Sequence, residues 1–173
     1  MCRALAAWLR SACRAVRKRS KYRPKPVLVN PVAYVIESLT PVTKHDGFLI
    51  DLKIKNSGAM VALLRGSATK SDMDMLIGMS NMTEALQQMG FGKEYKDVCV
   101  NGRVAILSIV NRAGKIGRFT PTGPEIQDLN LLMELHDAQC EVITVRDVER
   151  AMAVVLHQIA TSKNTIRMKN ELL

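Results

Sequence analysis

The stretch "TKSDMDMLIGMSNMTEALQQMG", residues 69–90, constrains the fold more than any other part of the chain. Ser71 offers a side-chain cap, Asp72 and Asp74 fall in the first turn where the helix dipole favours acids, and Gly90 stands just past the end. Between those signals Met75, Met79, Met82, Leu86 and Met89 form one stripe, and Met73, Leu76 and Ile77 widen it until little polar face is left. A helix that is apolar almost all round has to be surrounded by other helices, so this one is expected in the middle of a bundle. Methionine at this density also suits an adaptable binding groove, but core packing is its commoner use and is the expectation here.

The rest of residues 30–160 supplies the neighbours, because apolar residues recur at three and four positions and the breaks fall where helix ends need them. "NPVAYVIESLTP" has Asn30 to cap, Pro31 at a first-turn position and Pro41 to stop the run. "FLIDLKIK", residues 48–55, alternates like a strand; helix is preferred, because no second strand is available to pair with it. "KEYKDVCVNGRVAILSIVNRAGKIG" reads as a helix with an interruption at Gly102, followed by the loop "RFTPTGP". From there Ile126, Leu129, Met133, His136, Cys140 and Ile143, then Val148, Met152, Val155 and Ile159, alternate at three and four like a coiled-coil seam. The register slips between 143 and 148, and "TVRD" resembles a fresh cap, so the seam is one long helix or two in line. Ile126, Met133, Cys140, Val148 and Val155 are the candidates for an oligomer seam. The fold class expected is all-α: a helical bundle over 30–161, a basic, partly disordered N-terminal arm over 1–29, and a flexible tail over 162–173.

Charge is distributed very unevenly over that plan. The formal net charge is +9, yet residues 1–25 hold nine of the 25 Lys and Arg and no Asp or Glu, which leaves 16 basic against 16 acidic residues in the remainder. As a helix, residues 3–17 put Leu5, Trp8, Leu9, Ala12, Cys13 and Val16 on one side and Arg3, Arg10, Arg14 and Arg17 on the other. Such a segment can lie on an anionic membrane surface, resemble an organellar presequence or dock its apolar side on a partner, and a charge run of this kind can also be a mobile solvated leader with no specific partner. The following "RKRSKYRPKP" is an extended cationic arm, since Pro24 and Pro26 forbid regular helix. Arg17, Lys18, Arg19, Lys21, Arg23 and Lys25 are the candidate phosphate contacts, with Tyr22 placed to stack on a base.

Signatures of chemistry come out negative. Cys2, Cys13, Cys99 and Cys140 are widely spaced, which indicates neither a disulfide framework nor a structural zinc site. "NRAGKIGR" lacks the first glycine and the hydroxyl of a phosphate-binding loop. His136 and Cys140 share a helical face in "ELHDAQCE", but two such side chains are not a metal or catalytic site, and core packing is expected of both. A helix-turn-helix laid on "AMVALLRGSATKSDMDML" fails where Asp72 takes an apolar anchor's place. No apolar run is long enough for a spanning helix. The chain is therefore read as non-enzymatic, without metal or cofactor, and cytoplasmic.

"SKYRPKPVLVNPVAYV", "MDMLIGMSNMTEAL" and "LMELHDAQCEVITVRDVERA" resemble segments of small proteins of unknown function that recur in proteobacterial genomes and their phages or mobile elements. The resemblance covers roughly residues 19–155 and leaves residues 1–15 outside it. It implies a loosely regulatory role and no established activity. Together with the charge pattern, the expectation is a protein that associates with nucleic acid without reading its sequence. The alternative is a helical adaptor or homo-oligomer whose function lies in the 126–159 seam.

Overall fold

The computed structural model describes residues 30–44 and 46–161. Six α-helices account for most of them: α1 Pro31–Ser38, α2 Asp46–Leu64, α3 Lys70–Met89, α4 Lys96–Ile116, α5 Gly123–Val142 and α6 Val145–Ala160. Short 3-10 turns, Val42–Lys44 and Lys93–Tyr95, precede α2 and α4. Among the described residues there is no strand; extended pairing is limited to an isolated antiparallel bridge between Pro41 and Thr144. The all-α class expected from the periodicity is the class observed.

The alternating segment 48–55 lies inside α2, and burial shows why helix wins. Leu49, Asn56, Ala59, Met60 and Leu63 are buried at helical spacing, whereas Ile50 and Ile54, two of the residues that suggested a strand, are 57% and 64% exposed. The helix serves a stripe facing its neighbours at the cost of leaving the alternating residues outside.

α3 packs against α2, α4, α5 and α6, the central position its apolar circumference requires. Its cap is Thr69, not Ser71. The Thr69 hydroxyl accepts from Asp72 N at 3.3 Å while Asp72 Oδ2 accepts from Thr69 N at 2.7 Å, a reciprocal capping box. The sequence holds two overlapping frames, Thr69 with Asp72 and Ser71 with Asp74, and the earlier one forms. The bond from the Thr69 backbone, helped by its side chain, holds the Asp72 carboxyl below the usual carboxylate range. At the other end Gly90 takes φ +117°, the left-handed conformation that closes the helix.

Gly102 does not interrupt α4, which runs unbroken from Lys96 to Ile116. The glycine permits close approach instead: a Cβ there would stand 2.7 Å from Leu132 Cδ2 and 3.0 Å from Leu132 Cβ on α5. The slip in the seam pattern is a helix break. α5 ends at Val142, Ile143 is extended, and Thr144 begins α6 with a second capping box to Asp147. The α1 end of the chain is tied to this corner by Val42 N to Ile143 O at 3.0 Å and Val145 N to Thr40 O at 3.1 Å. Tyr34 adds a hydrogen bond to Glu149 at 3.0 Å.

Two apolar clusters result. The first joins the C-terminal half of α2, the N-terminal half of α3, α4 and the N-terminal half of α5 around Leu63, Leu76, Ile106, Ile109, Leu129 and Leu132. The second gathers Val42, Leu49, Ala85, Leu86, Cys140, Ile143, Ala151 and Val155 at the other end.

Candidate functional site

Where the two clusters meet, three helices carry buried polar side chains at one level. They are Asn56 on α2, Ser80, Asn81 and Thr83 on α3, and His136 and Gln139 on α5. A polar layer inside an apolar body has to be satisfied internally, and most of this one is. Gln139 Nε2 donates to Thr83 O at 3.2 Å and to Phe91 O at 2.9 Å. Thr83 gives its single hydroxyl hydrogen to Met79 O at 2.8 Å, so its oxygen can only accept from His136 Nδ1, 3.2 Å away. That assigns the proton of His136 to Nδ1 and leaves Nε2 to accept from the Cys140 thiol at 3.7 Å.

Burial keeps the His136–Cys140 pair neutral. Desolvation pushes the His136 imidazole down to about 4 and the Cys140 thiol up to about 11. A nucleophilic cysteine needs the opposite arrangement, a lowered thiol beside a base able to hold its proton. Asp137 and Glu141, on the same helix, are spent outside on Lys53, 3.8 Å from each. Among the described residues no group of three or more His, Cys, Asp and Glu is arranged to hold a metal ion.

Gln139 Oε1 has no protein partner, and Asn56 goes further, with both ends of its amide unpaired. It is 1% exposed, and no protein group reaches either Nδ2 or Oδ1. Leaving both ends of a buried amide unpaired costs about 1–3 kcal/mol per group, and nothing in the packing of α2 calls for it. The residue lines a cavity of about 460 Å³. The cavity lies between α2, contributing Leu49 and Leu52, and α3, contributing Met75, Met79 and Met82. α6 closes it with Val148, Met152 and Val155, while His136, Cys140, Val42 and Ile143 complete the wall. Ser71, Asp74, Gly78 and Met152 of the lining are exposed and mark its mouth. No Phe, Tyr, Trp, Lys or Arg is among the described residues that line it. The methionine stripe of α3 thus does both things its composition allows: Met73 and Met79 are core, while Met75, Met79 and Met82 face the cavity.

Asn56 stands seven residues after Leu49 and seven before Leu63. Once α2 is placed as a helix, a lone amide in that apolar stripe is the signal that marks it. The five seam candidates take places inside this chain. Ile126 and Met133 pack on the first cluster, Cys140 and Val155 are buried in the second, and Val148 packs against it. Arg17, Lys18, Arg19, Lys21, Tyr22, Arg23 and Lys25 lie outside the described residues, as do the 3–17 helix and the 162–173 tail. Arg112 of "NRAGKIGR" is held by Glu125, with bonds of 2.6 and 3.0 Å, and also donates to Thr120 O. No helix of the described residues is long and apolar enough to cross a membrane.

No family model, curated protein or solved structure matches this chain. The regulatory, mobile-element setting implied by the resemblance therefore stands on the quoted segments alone.

Proposed function

We propose that the chain is a non-catalytic, nucleic-acid-associated helical protein that grips phosphate backbones without reading sequence. Arg17, Lys18, Arg19, Lys21, Arg23 and Lys25 supply the phosphate contacts and Tyr22 stacks on a base. The observation that carries this is where the charge lies. Residues 30–161 hold 13 Lys and Arg against 15 Asp and Glu, so the body has no cationic excess to offer, whereas residues 1–25 hold nine cations and no acid. Several cations of the body are also neutralised locally: Arg112 by Glu125, Arg103 by Glu84, Lys55 by Asp51 and Lys53 by Asp137 and Glu141. Affinity for a polyanion is then a property of the leading segment.

Fluorescence anisotropy with a labelled mixed-sequence oligonucleotide tests this on the full chain. Log affinity should fall with log salt at a slope of roughly −3 to −5, as for about four to six neutralised phosphates. Replacing the six cations at 17–25 by Gln should abolish binding with the circular dichroism unchanged. Wild-type protein that binds neither DNA nor RNA at low salt, or a six-Gln variant that binds as tightly, would overturn the proposal.

The adaptor alternative is favoured by a different observation. Ile50, Ile54, Val61 and Leu64 form an exposed apolar stripe along the outer side of α2, at 57%, 64%, 43% and 50% exposure. An apolar stripe of that kind is what a protein partner or a second copy covers.

A further inference from the structure

We propose that the cavity beside Asn56 is a binding site for a neutral, unbranched aliphatic molecule with a carboxamide-type headgroup, the headgroup pairing with Asn56 and the chain lying along the methionines. This is independent of nucleic-acid binding and uses none of the residues assigned to it.

Four features of the wall select that chemistry. Asn56, in the cavity wall, carries two N–H donors at Nδ2 and an acceptor at Oδ1, both without a protein partner and both covered by neighbouring side chains, so a group bearing a carbonyl and an N–H satisfies both ends at once when the flexible methionines beside them move aside. The lining described contains no Lys or Arg, and the carboxylate nearest the mouth is the exposed Asp74, so an anionic head would enter without a counter-charge. The apolar part is Leu, Ile, Val and Met with no aromatic ring to stack on, which suits an alkyl chain more than a flat ring system. Methionine adapts to a flexible chain, and a volume of about 460 Å³ falls within the ordinary range of small-molecule sites. His136 and Cys140 do not compete for the headgroup, because His136 Nδ1 is engaged by Thr83 behind the wall and Nε2 by the Cys140 thiol.

Gly78 supplies a way to close the site without disturbing the core. It lines the cavity from the middle of α3, and a Cβ built there meets nothing within 4 Å. Gly78 is exposed at the mouth, so a leucine there has room to stand across the entrance.

The test is isothermal titration of the full chain at pH 8 with octanamide, 1-octanol, octanoate and octylamine, read beside the shift in melting temperature. Octanamide should bind and raise the melting temperature, with octanoate at least ten-fold weaker. Asn56→Leu should weaken octanamide about ten-fold or more, the worth of one buried hydrogen-bonded headgroup. Gly78→Leu should remove binding of every octyl probe. Absence of octanamide binding up to its solubility limit would overturn the proposal. So would undiminished affinity in Asn56→Leu, or a preference for octylamine insensitive to that substitution, which would make Asp74 the selecting group. If Asn56→Leu does not fold, Gly78→Leu still decides: octanamide binding that survives it does not take place in this cavity.

Discussion

The two apolar clusters are built from shared helices and differ in what interrupts them. Around Leu76, Ile106, Leu129 and Leu132 every buried member is apolar, and the helices approach closely enough that α4 needs a glycine opposite Leu132. The second cluster is smaller in its side chains, with Ala85, Ala151 and Cys140 among its members, and it supplies most of the apolar cavity wall, to which the first adds Met79 and, packed against it, Met75. α2, α3 and α5 run through both. The same helices can therefore be close-packed at one end and leave adaptable space at the other, the change occurring at Asn56, Thr83 and His136. Stability should reside mainly in the first region and ligand response in the second.

The largest effect that can break this comparison is a cavity in the first cluster. Leu76→Ala, at a site 1% exposed, should cost about 2–5 kcal/mol by urea unfolding, whereas Met152→Ala, 47% exposed at the mouth, should cost under about 1 kcal/mol. Equal losses would remove the distinction between the two ends.

Next in size is a pH effect confined to the polar layer. His136 titrates near 4 when folded and near its ordinary 6.5 when unfolded, because burial disfavours the imidazolium. Below 6.5 the unfolded chain takes up a proton that the folded chain refuses, so stability is complete above 6.5 and falls as pH drops toward 4. The loss over that window is about 3 kcal/mol. Urea midpoints against pH should show this extra slope in the wild type and lose it in His136→Gln, with carboxylate effects common to both curves. Parallel curves would place His136 in a solvated setting.

A smaller effect sharpens the packing contrast. Gly102→Ala should cost about 1–3 kcal/mol, since three atoms of Leu132, its Cβ among them, stand within 3.2 Å of the added carbon. A neutral result would mean that α4 and α5 can part without loss.

Much of this architecture was legible in the sequence for a physical reason. Apolar spacing at three and four residues fixes which face of a helix is buried, and that sufficed for the all-α class, the central place of α3 and the slip between 143 and 148, which left one long helix or two in line as the alternatives. Signals that exist twice were not separable: Thr69 and Ser71 each stand three residues before an aspartate, and only tertiary placement chooses between them. Gly102 carries the same letter whether it breaks a helix or admits Leu132. The seam residues alternate correctly, but alternation does not say whether the facing helix belongs to the same chain. The cavity was beyond reach, since an unfilled volume depends on side chains from four helices at once. Asn56 alone left a trace, an amide midway between Leu49 and Leu63.

Methionine occurs in both regions, and its methyl groups test the contrast most directly. Met60 and Met73 are buried in the first cluster, 4% and 0% exposed, while Met82 and Met152 line the cavity, as does Met75 from the edge of the first cluster. Methyl NMR of the full chain, labelled at methionine and titrated with octanamide, should shift the resonances of Met75, Met82 and Met152 and leave those of Met60 and Met73 in place. Shifts spread evenly over both sets, or confined to Met60 and Met73, would contradict the division of the body into a close-packed end and a ligand-accepting one.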